Sequence, residues 1–111
     1  MYSQYFPLAR AVLAAVLVAW SIPAHADTHS VSQAKKAFAV SVLKAKVGDT
    51  IVFRNDDEFA HNVFSLSDIQ NFDLGSYKKG EKRSVKLEKE GVIEVECAIH
   101  PEMKMKIEVK K

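Results

Sequence analysis

The chain has 111 residues, with 16 Lys and Arg against 14 Asp and Glu, 48% apolar residues and one cysteine. That length allows one domain, and four glycines, three prolines and a near-balanced 27% charge exclude collagen-like, low-complexity and self-repelling disordered chains. A small globular fold remains, and because Lys35, Lys36, Lys78, Lys79, Lys104 and Lys106 are interleaved with acids rather than set in a one-signed stripe, no nucleic-acid partner is expected.

The first residues carry one basic side chain, Arg10, and no acid; residues 11–20 are apolar throughout; Ser21-Ile22-Pro23 breaks the run; and Ala24-His25-Ala26 sets small residues around a polar one. This is the pattern of a secretory signal peptide over residues 1–26, cleaved after Ala26. The apolar run is too short for a hydrocarbon core that takes about 20 residues, and Cys97 lies too far downstream to carry a lipid. No stable membrane anchor is expected, and the mature protein is expected in the periplasm. Cleavage removes one basic residue and no acid, leaving a formal charge of +1, and it takes away the single tryptophan, Trp20. The 85 residues left of 111 hold one cysteine and so no internal disulfide. Domains of that size lean on a further staple, of which a bound metal is one.

Residues 27–36 are polar without a clear period and read as a leader into a domain over 37–111. From Ala37 the apolar positions alternate, with Phe38, Val40 and Val42 separated by Ala39 and Ser41. The turn Lys46-Val47-Gly48-Asp49, with Gly48 free to take a positive φ, leads into the β-branched and aromatic run Thr50-Ile51-Val52-Phe53. Two strands joined by a turn are expected there. Asn55-Asp56-Asp57-Glu58 reads as a polar loop, and His61-Asn62-Val63-Phe64-Ser65 resumes strand character. Residues 67–77 give weak signals, Lys78-Lys79-Gly80 is a turn, and Ser84-Val85-Lys86-Leu87 alternates again.

Gly91 opens the cleanest strand, in which Ile93, Val95 and Cys97 share one face and Glu94 and Glu96 the other. After a loop over 98–102, Met103, Met105, Ile107 and Val109 alternate with charged residues in a last strand. Short strands with turn signals every 8–12 residues or so predict an all-β sandwich or small barrel.

The segment Cys97-Ala98-Ile99-His100-Pro101-Glu102-Met103 sets a thiol, an imidazole and a thioether on one loop between two strands, and a second imidazole, His61, opens an earlier strand. Two His, one Cys and a weak axial Met is the ligand set of a type 1, or blue, copper site used for electron transfer. Thiolate and thioether favour Cu(I) and imidazole accommodates Cu(II), whereas Met would serve zinc poorly. Each residue also has an ordinary alternative. A lone Cys is often a small buried hydrophobe, although an unpaired thiol in an exported protein risks mispairing. His100 could be a surface residue. His61 stays open on spacing alone, because strand-entry histidines are common, and His29 reads as solvated. Met105 shares the strand parity of Ile107 and Val109, as a core residue would, while Met103 sits where loop becomes strand and is better placed to turn toward a metal.

The stretch from Cys97 to Val109 resembles the C-terminal copper loop and final strand of small cupredoxins, nearest the amicyanin type, which have Cys-x2-His-Pro-x-Met followed by Lys-Val-x-Val. A plastocyanin-like His-x4-Met spacing would select Met105 instead. Upstream, Val47-Gly48-Asp49-Thr50-Ile51-Val52-Phe53-Arg54-Asn55-Asp56 followed by Ala60-His61-Asn62-Val63 resembles the first-ligand segment of the same family. The resemblance spans residues 38–109 and implies a Greek-key β-sandwich with one copper on His61, Cys97, His100 and Met103. It also implies a one-electron carrier rather than an enzyme, working as a monomer with transient redox partners that dock near His100, Ile99 and Pro101. Two departures stand out. Ile93, Val95 and Glu96 stand where aromatic residues are common, and Ala98 replaces a Ser or Thr whose hydroxyl would join the ligand loops through Asn62. The rival reading is a copper-binding protein for storage, delivery or resistance, and a third is a cupredoxin-like scaffold without copper. Beyond the four ligands the mature chain offers the rival only Met105 and His29.

Overall fold

The computed structural model describes residues 14, 15 and 25–111. The export segment expected over 1–26 therefore lies outside the described residues except at Ala14, Ala15, His25 and Ala26. No helix among the described residues is long and apolar enough to cross a membrane.

The strands are β1 (Thr28–Ala34), β2 (Ala37–Phe38), β3 (Val42–Lys46), β4 (Thr50–Asn55), β5 (His61–Ser65), β6 (Phe72–Tyr77), β7 (Lys82–Lys86), β8 (Gly91–Glu96) and β9 (Lys104–Lys110). A four-stranded sheet runs β2-β1-β4-β7 and a five-stranded one β3-β9-β8-β5-β6. The expected all-β sandwich is thus present. Alternation drives it: Ile51 and Phe53 of β4 face Ile93 and Val95 of β8 and Met105, Ile107 and Val109 of β9 in one buried core. Each such side chain stabilises the fold by about 1.5–3 kcal/mol when fully buried. Phe38 meets Phe53 edge to face, with ring centroids 6.0 Å apart.

Two local expectations are corrected. The polar stretch 27–36 is not a leader: β1 occupies Thr28–Ala34 and runs parallel to β4, with Thr28 opposite Thr50 and Gln33 opposite Asn55. Its inward residues are Val31 and Gln33, and the polarity of the second hides the alternation. The Phe38, Val40, Val42 period does not mark one strand either. Phe38 is buried, while Val40 and Val42 are 37% and 46% exposed as the chain crosses from one sheet to the other. The two strands expected around the turn before Asp49 are present as β3 and β4, and they belong to different sheets. Gly48 does take the positive φ expected of it, at 95°.

The weak stretch 67–77 contains β6, which contributes buried Tyr77. Gly91 starts β8 with φ at 137°, and a Cβ there would stand 2.8 Å from Ile69 Cδ1.

Candidate metal centre

Two loops at one end of the sandwich build the site. β5 begins on His61, whose side chain is fully buried. β8 ends at Glu96 and β9 starts at Lys104, so residues 97–103 form the connecting loop. That loop is pinned at its neck: the Cys97 N–H donates to the Met103 carbonyl at 3.3 Å, and the Met103 N–H donates to the His100 carbonyl at 2.9 Å.

Three donor atoms converge there. The Nδ1 atoms of His61 and His100 are 3.2 Å apart, and Cys97 Sγ lies 3.8 Å from the first and 3.9 Å from the second. A point in the plane of this triangle is about 2.1 Å from all three, the length of a transition-metal bond to nitrogen or sulfur. His61 Nε2 stands 2.7 Å from Asp57 Oδ2 and donates to it, which leaves Nδ1 as a lone pair aimed into the triangle. Two imidazole nitrogens and a thiol sulfur brought to that spacing are a donor set that a cation can bridge, and the mixture of one thiolate with two imidazoles suits copper.

Met103 and Met105 are both buried. Met103 closes the ligand loop through its backbone, whereas Met105 lies one step into β9 opposite Val95. His29 is remote from the triangle and contacts Asp49.

The loss of a hydroxyl at Ala98 does not untie the ligand loops. The Ala98 N–H donates to Asn62 Oδ1 at 2.7 Å, so the backbone makes the link expected of a side chain. Around His100 the surface is apolar: Ile99 and Phe59 are each 50% exposed, Pro101 is exposed, and the Phe59 and His100 rings meet edge to face at 6.2 Å.

Sequence reasoning missed Asp57, Phe59 and Tyr77. Burial alone would push the Asp57 carboxyl up, but the Lys36 N–H, the His61 ring and the Lys35 N–H together hold it below the usual carboxylate range. Tyr77 pairs opposite His61 and donates its hydroxyl to Gln33 Oε1. Burial, then the neighbouring Cys97, raises its hydroxyl well above the usual tyrosine range.

The sequence profile of the copper-binding proteins of the plastocyanin/azurin family matches residues 25–110, and the chain belongs to that family. It is 33% identical over 98 residues to the methylamine utilization protein MauL of Methylorubrum extorquens, covering 87% of this chain and 86% of that one. A reduced Cu(I) form of an amicyanin variant superposes with a TM-score of 0.70 at 27% identity, over 75% of this chain and 82% of amicyanin. A copper-containing nitrite reductase from Thermus scotoductus SA-01 gives a TM-score of 0.71 at 26% identity, over 76% of this chain but 22% of the reductase. The purple cupredoxin of Nitrosopumilus maritimus, at 23% identity and a TM-score of 0.68 over 74% of this chain and 99% of that one, shares the fold. Fold, family and donor triangle together fit a small cupredoxin with one type 1 copper.

Proposed function

We propose that this protein is an exported, monomeric one-electron carrier of the periplasm, in which His61, Cys97 and His100 ligate copper in a near-trigonal set and Met103 is the axial ligand. The observation that carries this reading is the gradient of burial across the triangle: His61 and Cys97 are closed to solvent, while His100 is part exposed amid Ile99, Pro101 and Phe59. Bound copper supplies one-electron exchange between Cu(I) and Cu(II). The chain supplies the rest. Asp57 fixes the ring and tautomer of His61, the two backbone bonds at the loop neck fix Cys97, His100 and Met103 relative to one another, and both oxidation states then meet nearly one geometry. The His100 ring edge is the shortest way out, and its apolar rim suits the small, weak interfaces of redox encounters. Amicyanin, solved in reduced and in oxidised states, supports the redox assignment. No catalytic step of the chain's own is proposed.

Ile99→Glu tests the reading. It should slow electron exchange with a redox partner while leaving the visible colour and the copper affinity nearly unchanged. The companion experiment offers the reduced protein an apo copper acceptor. Rapid copper transfer with sluggish electron exchange would overturn the carrier in favour of storage or delivery.

A further inference from the structure

Asp49 precedes β4 and Asp57 follows it, so the two carboxylates lie at opposite ends of a six-residue strand, about 20 Å apart at about 3.3 Å per residue. Their surroundings are alike. Asp49 is 1% exposed, and its Oδ2 accepts from His29 Nε2 at 2.9 Å while its Oδ1 accepts from the Asp27 N–H at 2.8 Å. With Nε2 donating to the carboxylate, His29 keeps Nδ1 as a free lone pair, as His61 does at the other end. One buried carboxylate therefore holds the Asp27 nitrogen and the His29 ring together.

We propose that the mature amino terminus, Asp27-Thr28-His29, is a second metal site selective for Cu(II) and Ni(II), an inference that rests on cleavage after Ala26. With Asp27 first, the terminal amine, the Thr28 and His29 amide nitrogens and His29 Nδ1 offer four nitrogens along one short run of chain. They close two five-membered rings and one six-membered ring around an ion in a single plane, the arrangement Cu(II) and Ni(II) prefer. Binding releases one proton from the terminal ammonium and one from each amide, so affinity rises with pH. Two amidates cancel the charge of the ion, and the chelate is neutral. Lys44, Lys46 and Lys110, which border the same groove beside Asp27 and Asp49, therefore do not oppose it. Asp49 can go on accepting from both groups, since the coordinated amine retains N–H groups and His29 keeps Nε2–H, while the Lys46 N–H holds the carboxylate in place; such outer carboxylates orient metal-bound histidines. The cost is local. Thr28 and His29 stand opposite Thr50 and Ile51 at the first rungs of the β1–β4 ladder, and end rungs open most easily.

The test uses protein purified from the periplasm with its first copper site filled. Its intact mass and its lack of tryptophan emission should place the first residue at Asp27, and it should then take up one further equivalent of Ni(II), more tightly as pH is raised. The His29 ring resonances should move while those of His61 and His100 do not. His29→Gln, and a protein carrying one extra residue ahead of Asp27, should each lose that equivalent with the visible colour unchanged. Asp49→Asn should weaken it about 10–100-fold. A first residue other than Asp27 overturns the proposal through its processing premise. A chain that does begin at Asp27 and binds no second equivalent overturns the chelate itself.

Discussion

The Asp57 carboxylate reaches His61 Nε2 at 2.7 Å while also accepting the N–H groups of Lys35 and Lys36 at 2.6 and 2.9 Å. Both lysines sit in the left-handed region, with φ of 52° and 56°, where side chains other than glycine cost about 1 kcal/mol or more. Two successive N–H groups in such a turn form an anion cradle, and the carboxylate that fills it offsets the strain. The tight turn between β1 and β2 is thereby tied to a histidine of the donor triangle.

Asp57→Asn tests that link. One amide oxygen cannot serve three donors, so copper affinity should fall about 10–100-fold and the metal-free fold should lose about 1–3 kcal/mol. Chelator competition and urea unfolding measure the two. Unchanged values in both would remove Asp57 from the site.

Copper itself should colour and stabilise the protein. A short bond from Cu(II) to the Cys97 thiolate should give an intense visible band that Cys97→Ser abolishes. The melting temperature should rise with copper, because an ion that binds only the folded state stabilises it by mass action. A colourless protein after loading would reject type 1 ligation.

The two buried sulfurs should behave differently. Met103→Leu should shift both the spectrum and the reduction potential, whereas Met105→Leu, a nearly volume-conserving change opposite Val95, should cost less than about 1.5 kcal/mol and leave the site alone. The reverse pattern would move the axial role to Met105.

Acid should expose the role of Asp49. The Asp27 N–H, the His29 ring and the Lys46 N–H hold its carboxyl far below the usual carboxylate range. The unfolded chain therefore binds the proton first, and stability rises with pH. The contribution of Asp49 is complete above about pH 5, beyond the ordinary carboxylate pKa near 3.9, and is lost progressively as pH falls toward the lower folded value. Urea midpoints measured down an acid series should fall less steeply in Asp49→Asn than in the parent. Parallel slopes would dismiss the three bonds as a source of stability.

The ligand loop was legible in the sequence because it lies between two strands of strict alternation, so that Ile93, Val95, Cys97 and then Met103, Met105, Ile107 fall inward in register. β1 was not, because one of its inward residues is Gln33, whose side chain serves Tyr77 in the core. β6 escaped notice because Gly75 interrupts it and its one buried residue stands at the end. Asp57 reads as loop composition in one dimension. Its partners at Lys35 and Lys36 are 22 and 21 residues away and meet it only once the sheet has formed.

The parallel pairing of β3 with β9, from Val42 against Lys106 to Lys46 against Lys110, carries a consequence for biogenesis. Strands more than half the chain apart must meet before the five-stranded sheet can close, and pairings of such long sequence separation form slowly. A nascent chain therefore leaves the ribosome with His61 waiting for Cys97 and His100, and no partial length of it presents the assembled donors. Metal selection is deferred until the distant strands have paired. The choice of ion is then made by what surrounds the completed fold rather than by what the growing chain meets during synthesis.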